Sequence, residues 1–208
     1  MIAGVVLAAG GASRFGSAKQ LAELDGRPLL QHAVDAILGV PAVSPVVVVL
    51  GAEAERVREA VSLGDARPEP QRPGVATSLP AARAVVCAEW AEGMAASLRC
   101  GIEAVGDCDW LVVCLGDQPR VTSQVIAAVA DEAASAPAGV EAIRAMYDGV
   151  PGHPVALSRA MLPGVAKLRG DVGARELLGG ASVRTFEAGR LCDPVDVDTP
   201  EELEGLRT

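Results

Sequence analysis

Aromatic side chains are scarce: five of 208 residues, or 2%, although half the chain is apolar. Without rings to fill it, a core of this size must be built from Val, Leu, Ile and Ala, the composition of buried parallel strands and the helices that cover them. Lysine is scarcer still, because only Lys19 and Lys167 interrupt a basic set otherwise made of sixteen arginines. With 18 basic against 27 acidic residues the net charge is −9, and no basic face segregates along the chain, which argues against general nucleic-acid binding. No C-x-x-C pair occurs among Cys87, Cys100, Cys108, Cys114 and Cys192, so a zinc knuckle or a disulfide framework is disfavoured. The longest apolar runs, Met1 to Ala9 and Val43 to Leu50, fall far short of the ~20 residues that span a bilayer. The first has no basic residues before it either, and the expectation is a cytoplasmic protein that engages neither membrane nor nucleic acid.

What is present alternates. Met1 to Ala9 reads as a buried strand breaking into Gly10-Gly11, Pro28 to Val40 as a helix, Val46 to Leu50 as a second strand, and Glu53 to Leu63 as a surface helix. Ala84 to Ala88 and Trp110 to Leu115 read as further strands, with a helix over Met94 to Val105 between them. Strand and helix in alternation predict one α/β domain over residues 1–208, a doubly wound and mostly parallel sheet with helices on both faces, which collects ligands beyond the carboxyl ends of its strands. Gly64 to Ala82, with four prolines and little periodicity, reads as a long flexible loop.

Three segments carry chemistry. Gly10-Gly11-Ala12-Ser13-Arg14-Phe15-Gly16-Ser17-Ala18-Lys19 follows a strand and can turn backbone N–H groups toward phosphate oxygens. It is neither a P-loop, since Lys19 stands two residues too far from Gly16, nor the G-x-G-x-x-G of dinucleotide folds; the plainer alternative is a glycine-rich connection with two surface cations. Asp117, in Gly116-Asp117-Gln118-Pro119, sits where a carboxylate at a strand end meets a metal-bound phosphate, or where an Asx turn places one for purely local reasons. In Asp196-Val197-Asp198-Thr199-Pro200-Glu201-Glu202, Thr199 reads as an N-cap with Glu202 closing a capping box. Strand alternation would place Asp196 and Asp198 on one side, either as metal ligands or as carboxylates favouring the positive helix end. Cys114, inside a strand, reads as a small buried hydrophobe.

Six motifs in order carry a resemblance: Leu7-Ala8-Ala9-Gly10 through Arg14, Gly16 and Lys19; Glu92 to Leu98; Gly116 to Pro119; Gly152-His153-Pro154-Val155; Gly170-Asp171-Val172-Gly173-Ala174-Arg175; and Asp196 to Pro200. Together they make the chain similar to the nucleotidyltransferases that act on molybdopterin, whose fold is that of the nucleotide-diphospho-sugar transferases, and most similar to the molybdenum-cofactor cytidylyltransferase branch. The resemblance spans nearly everything except Gly64 to Ala82. It implies that Leu7, Ala8, Ala9, Gly10, Gly11, Arg14 and Lys19 bind the nucleotide, with Arg14, Lys19 and Asp117 catalytic, and that Gly93, Met94 and Ser97 lie near the base. Asp117 and Asp198 would hold Mg²⁺, while Gly152, His153 and Asp171 would line the acceptor side. One departure stands out: the family pattern has serine two positions after the first glycine, where this chain has Ala12.

The expected activity is Mg²⁺-dependent transfer of a nucleoside monophosphate, CMP from CTP, to the phosphate of a pterin, with contact to a molybdoenzyme or its maturation factors. An acceptor phosphate is already mostly ionised at pH 7, so no dedicated general base is needed, in keeping with the absence of a Ser-His-Asp pattern. The alternatives are guanylyl or adenylyl transfer to a related acceptor, a non-catalytic cofactor carrier that keeps the fold without turnover, and a dinucleotide-binding oxidoreductase, against which the glycine spacing argues.

Overall fold

A computed structural model describes residues 1–11, 15–16, 18–64 and 81–207. Arg14 and nearly all of the proline-rich segment at 64–82 lie outside the described residues. In chain order the elements are β1 (Ile2–Ala8), β2 (Glu23–Leu24), β3 (Arg27–Pro28), α1 (Leu29–Leu38), β4 (Val43–Leu50), α2 (Ala54–Ala60), β5 (Ala82–Val86), α3 (Met94–Val105), β6 (Trp110–Leu115), α4 (Ser123–Ala134), β7 (Ala142–Tyr147), β8 (Val150–Ser158), α5 (Leu162–Val165), β9 (Val183–Glu187) and α6 (Pro200–Gly205).

Seven strands form one sheet in the order β5-β4-β1-β6-β8-β7-β9. Period-2 alternation divides its side chains between two cores. Val6, Val48, Val112 and Ile143 pack with Leu30, Val34 and Ile37 of α1 and Val125, Ile126 and Val129 of α4. Val5, Val47, Val113 and Leu157 pack on the opposite face with Leu98 of α3 and Val165 of α5. Strands covered on both faces need apolar residues at every position, which is why β1 and the buried Val46–Leu50 part of β4 read as apolar runs. Cys114 is buried in the first core, where desolvation pushes its thiol up to about 12.

Several expectations need correction. Strand–helix alternation stops after β7: only the two residues Asp148 and Gly149 separate β7 from β8, both with positive φ (50° and 79°), and β8 runs antiparallel to both β6 and β7. Asp-Gly at the two central positions is the chemistry of a tight hairpin turn. Glu53 to Leu63 is helical only over Ala54–Ala60, and the third strand begins at Ala82, two residues before the expected start. The residues around Asp196 and Asp198 form no strand, so side alternation does not place these carboxylates.

Candidate active site

Because β1 and β6 are parallel neighbours, with Leu7 opposite Leu115, their carboxyl ends open side by side. The Gly116 amide donates to the Leu7 carbonyl (2.9 Å) and fixes where the chain leaves β6, so that Asp117 projects beside the glycine turn that follows β1. A second segment arrives from the far end of the sequence: the Val197 amide donates to the Asp117 carbonyl (3.0 Å). The capping box of α6 then fixes Asp198. The Glu202 amide donates to Thr199 Oγ1 (3.2 Å), while Glu202 Oε2 accepts from the amides of Thr199 (2.9 Å) and Asp198 (2.7 Å).

Lys19 joins these pieces. Its ammonium donates to Asp117 Oδ2 and to Asp198 Oδ1, each at 2.8 Å. Burial opposes the charge on Lys19, but the two carboxylates, Asp117 foremost, outweigh it and raise the lysine pKa. Gln20, next in the chain and 5% exposed, donates its amide to the carbonyls of Ala8 (2.8 Å) and Gly10 (2.9 Å), pinning the strand end and its turn to the residue beside Lys19. Sequence reasoning missed Gln20; its signal was adjacency to one of only two lysines.

These groups line a cleft of about 420 Å³ bounded by Leu7, Ala8, Gly10, Gly11, Lys19, Gln20, Gly116, Asp117, Asp171 and Asp198. Among the described lining residues three carboxylates face one ammonium, so the cleft is anionic without further cations. Asp117 Oδ1 is buried and has no hydrogen-bond partner, a condition that a carboxylate tolerates when a cation supplies the missing contact. Asp196 adds to this field: burial, then the nearby charge of Asp117, raises its pKa, and it accepts a hydrogen bond from Gln118 (2.9 Å). The described residues hold no cluster of three or more His, Cys, Asp or Glu able to cage an ion. Two carboxylates with space for substrate oxygens and water are the usual provision for Mg²⁺ and its relatives.

Among the described residues, the predicted Ala9, Gly93, Met94, Ser97, Gly152 and His153 are not in this lining. Ala9 is buried, its carbonyl accepting from the Ala52 amide. Behind Gly11 stands Trp90, whose ring lies 2.8 Å from where a Gly11 Cβ would be, a wall that no local spacing announces. Gly93 and Met94 open α3 against the loop at 170–171: the Ala95 amide donates to the Gly170 carbonyl (3.2 Å) and the Met94 amide to Asp171 Oδ1 (3.4 Å). Asp171 thus belongs at once to the cleft and to the cap of α3. Ser97 is 5% exposed, one turn further along the helix. Gly152 packs on the ring of Tyr147, whose hydroxyl donates to the His153 carbonyl (2.6 Å).

His153 is half-buried among apolar groups, and that burial, with the Arg144 charge adding to it and Asp117 opposing, pushes its imidazole down to about 4 from the ordinary 6.5. Between those two values the unfolded chain binds the proton and the folded one does not, so stability falls as pH drops through this window, by roughly 2–3 kcal/mol for this group alone. Urea unfolding at pH 7 and pH 5 should therefore show a smaller loss in His153→Asn than in the parent chain. Equal losses in the two proteins would mean that His153 titrates normally.

Residues 4–186 match the model of the MobA-like NTP transferase domain. A curated relative, nicotine blue oxidoreductase of Paenarthrobacter nicotinovorans, is 29% identical over 99% of this chain and 96% of its own. The crystal structure of Rv0371c from Mycobacterium tuberculosis H37Rv superposes with a TM-score of 0.77 at 30% identity, covering 99% of this chain and 97% of that one. A manganese complex of the same protein gives 0.73 at 28% over the same shares. CMP:2-keto-3-deoxy-manno-octonic acid synthetase complexed with CTP shares the fold at a TM-score of 0.72 and 19% identity, over 99% and 96% of the two chains. None of the helices among the described residues is long and apolar enough to cross a membrane. The carboxylates converging on a lysine beyond the central strand ends thus sit in a chain that belongs to the MobA-like NTP transferase family.

Proposed function

We propose that this protein transfers CMP from CTP to the phosphate of a molybdopterin-type acceptor, with Mg²⁺ as the divalent ion and pyrophosphate as the leaving group. The observation that carries this reading is the convergence of Asp117, Asp198 and Lys19, from three distant parts of the chain, at the mouth of one anionic cleft. A triphosphate entering three carboxylates and one ammonium meets net repulsion unless a divalent cation comes with it. The unpartnered Asp117 Oδ1 supports that requirement, as does the manganese held by a structural relative.

An oxygen of the acceptor phosphate attacks the α-phosphorus of the nucleotide; the new P–O bond forms as the bond to the bridging α–β oxygen breaks, and pyrophosphate departs with that electron pair. Asp117 and Asp198 would hold the cation, which would neutralise charge on the triphosphate. The amides of the Gly10-Gly11 turn would orient phosphate oxygens, and the Lys19 ammonium would stabilise charge gathering on the leaving group. No side chain need remove a proton, since the acceptor phosphate is already ionised. Gly93, Met94 and Ser97 are assigned to the base, Gly152, His153 and Asp171 to the acceptor, and Arg14 to the triphosphate.

A thermal-shift series with the four NTPs and Mg²⁺ tests the reading. CTP should stabilise most, a ligand at 100 times its dissociation constant adding about 2.7 kcal/mol. Equal stabilisation by CTP and GTP would remove the cytidylyl assignment and leave nucleotidyl transfer standing. Pyrophosphate release with a pterin acceptor then separates an enzyme from a carrier. The oxidoreductase named among the relatives gives one reason to include NADH and NADPH in the same series, where no shift is expected.

A further inference from the structure

Arg144 presents an imbalance that the transfer chemistry above does not use. It lies on β7 opposite Val155 of β8, which is itself opposite Val113 of β6, four residues before Asp117. Its Nε is buried and has no hydrogen-bond partner, and among the described residues no carboxylate comes within ion-pairing distance of its guanidinium. The neighbouring cation makes matters worse: Arg175, just beyond the buried Ala174, is close enough that its charge adds to desolvation in disfavouring the charge on Arg144. Ala174 belongs to the same core face as Ala142, Val155 and Leu157, so the turn carrying Arg175 covers the face on which Arg144 stands. Four residues earlier that turn supplies Asp171 to the cleft. His153, within electrostatic reach of both Arg144 and Asp117, ties the arginine to the same flank of the site.

A buried guanidinium nitrogen without an acceptor and a second guanidinium pressed toward it are jointly unfavourable unless an anion completes them. We propose that Arg144 and Arg175 form an anion subsite that grips the phosphate monoester of the acceptor. The assignment to an acceptor rests on the transfer reading above. Two guanidinium forks suit a phosphate better than any other common anion, because each presents paired N–H donors to two oxygens. The subsite then offsets the charge of the attacking phosphate, so that an otherwise anionic cleft can receive it beside the α-phosphorus of the nucleotide.

Calorimetric titration of the full chain with phenyl phosphate in the presence of Mg²⁺, with CTP supplied as its non-transferable α,β-methylene analogue so that no turnover occurs, tests this directly. The parent protein should bind phenyl phosphate both free and saturated with that nucleotide. Arg144→Ala and Arg175→Ala should each weaken that binding at least tenfold while CTP affinity stays within twofold, and Arg144→Lys should recover only part of the loss. If Arg144→Ala does not fold, Arg175→Ala, exposed on its turn, decides alone. The proposal is overturned if the parent chain does not bind phenyl phosphate, if both alanine variants bind it undiminished, or if CTP displaces it. Tighter binding of inorganic phosphate than of the monoester would overturn the acceptor assignment by giving the pocket to free phosphate. Loss of CTP binding with the phenyl phosphate result intact would sink the transfer reading instead and leave the anion subsite in place.

Discussion

Asp117→Asn is expected to reduce turnover on the order of a hundredfold or more while leaving the chain folded. The carboxylate stands at the end of β6, its Oδ2 on the Lys19 ammonium and its Oδ1 buried without a partner. An amide there keeps the shape of the side chain and removes the charge on which cation binding depends; deleting one preorganised electrostatic contact typically costs that much in rate. Stability should change little, because Lys19 keeps its bond to Asp198 and partly exposed ion pairs are worth about 1 kcal/mol or less. Asp198→Asn should follow the same pattern less severely, since its side chain is 51% exposed against 30% for Asp117. Steady-state rates across a Mg²⁺ titration make the check: parent-level activity at limiting metal would show that the substituted residue does not hold the ion.

The second large effect is expected at Gly93. Its φ of 109° lies where residues with a Cβ are strained, and an added Cβ would stand 2.5 Å from both the carbonyl carbon and the oxygen of Gly170 and 2.6 Å from the Asp171 nitrogen. These are backbone atoms and cannot rotate away. Positive φ at a non-glycine residue costs of order 1–3 kcal/mol and forced overlap adds a similar amount, against a total stability of about 5–15 kcal/mol. Gly93→Ala should therefore lose several kcal/mol in urea unfolding and part the start of α3 from Asp171, with CTP binding falling alongside. Gly170→Ala is the matched control: its φ of 70° is also positive, but no atom lies within 4 Å of the added carbon. If Gly93→Ala unfolds within about 0.5 kcal/mol of the parent chain, the packing of α3 on that loop is not what the contacts describe.

Much of this arrangement is legible in the sequence alone, and the reason differs from place to place. The capping box at Thr199 and Glu202 is a contact between residues three apart, so local spacing contains all of its physics. Strands β1 and β6 announced themselves because burial on both faces leaves no polar position in the run. The antiparallel β8 was missed although Asp148-Gly149 is a strong hairpin signal, because a run of strand–helix units set the expectation for what followed. Asp198 stands out through the family resemblance, and strand alternation adds a reason that does not hold: the residue lines the cleft, but the Val197 amide and Glu202, not a strand, position it. Arg144 and Trp90 were invisible for a deeper reason: their significance lies in what the fold brings near them, an arginine 31 residues on and a glycine 79 residues back, and no spacing rule reaches that far.

The position of β1 between β4 and β6 has a consequence for how the chain is made. Ile2 pairs with Val43 on one side and with Trp110 on the other, so this interior strand stays half unpaired until 108 further residues have been added. At typical synthesis rates that interval is about 5–20 s. For its duration one of the most apolar segments of the protein has an open strand edge, the condition under which nascent chains recruit chaperones or pair with one another. The architecture that gathers distant carboxylates at one point thus defers completion of its first strand until more than half of the polypeptide exists.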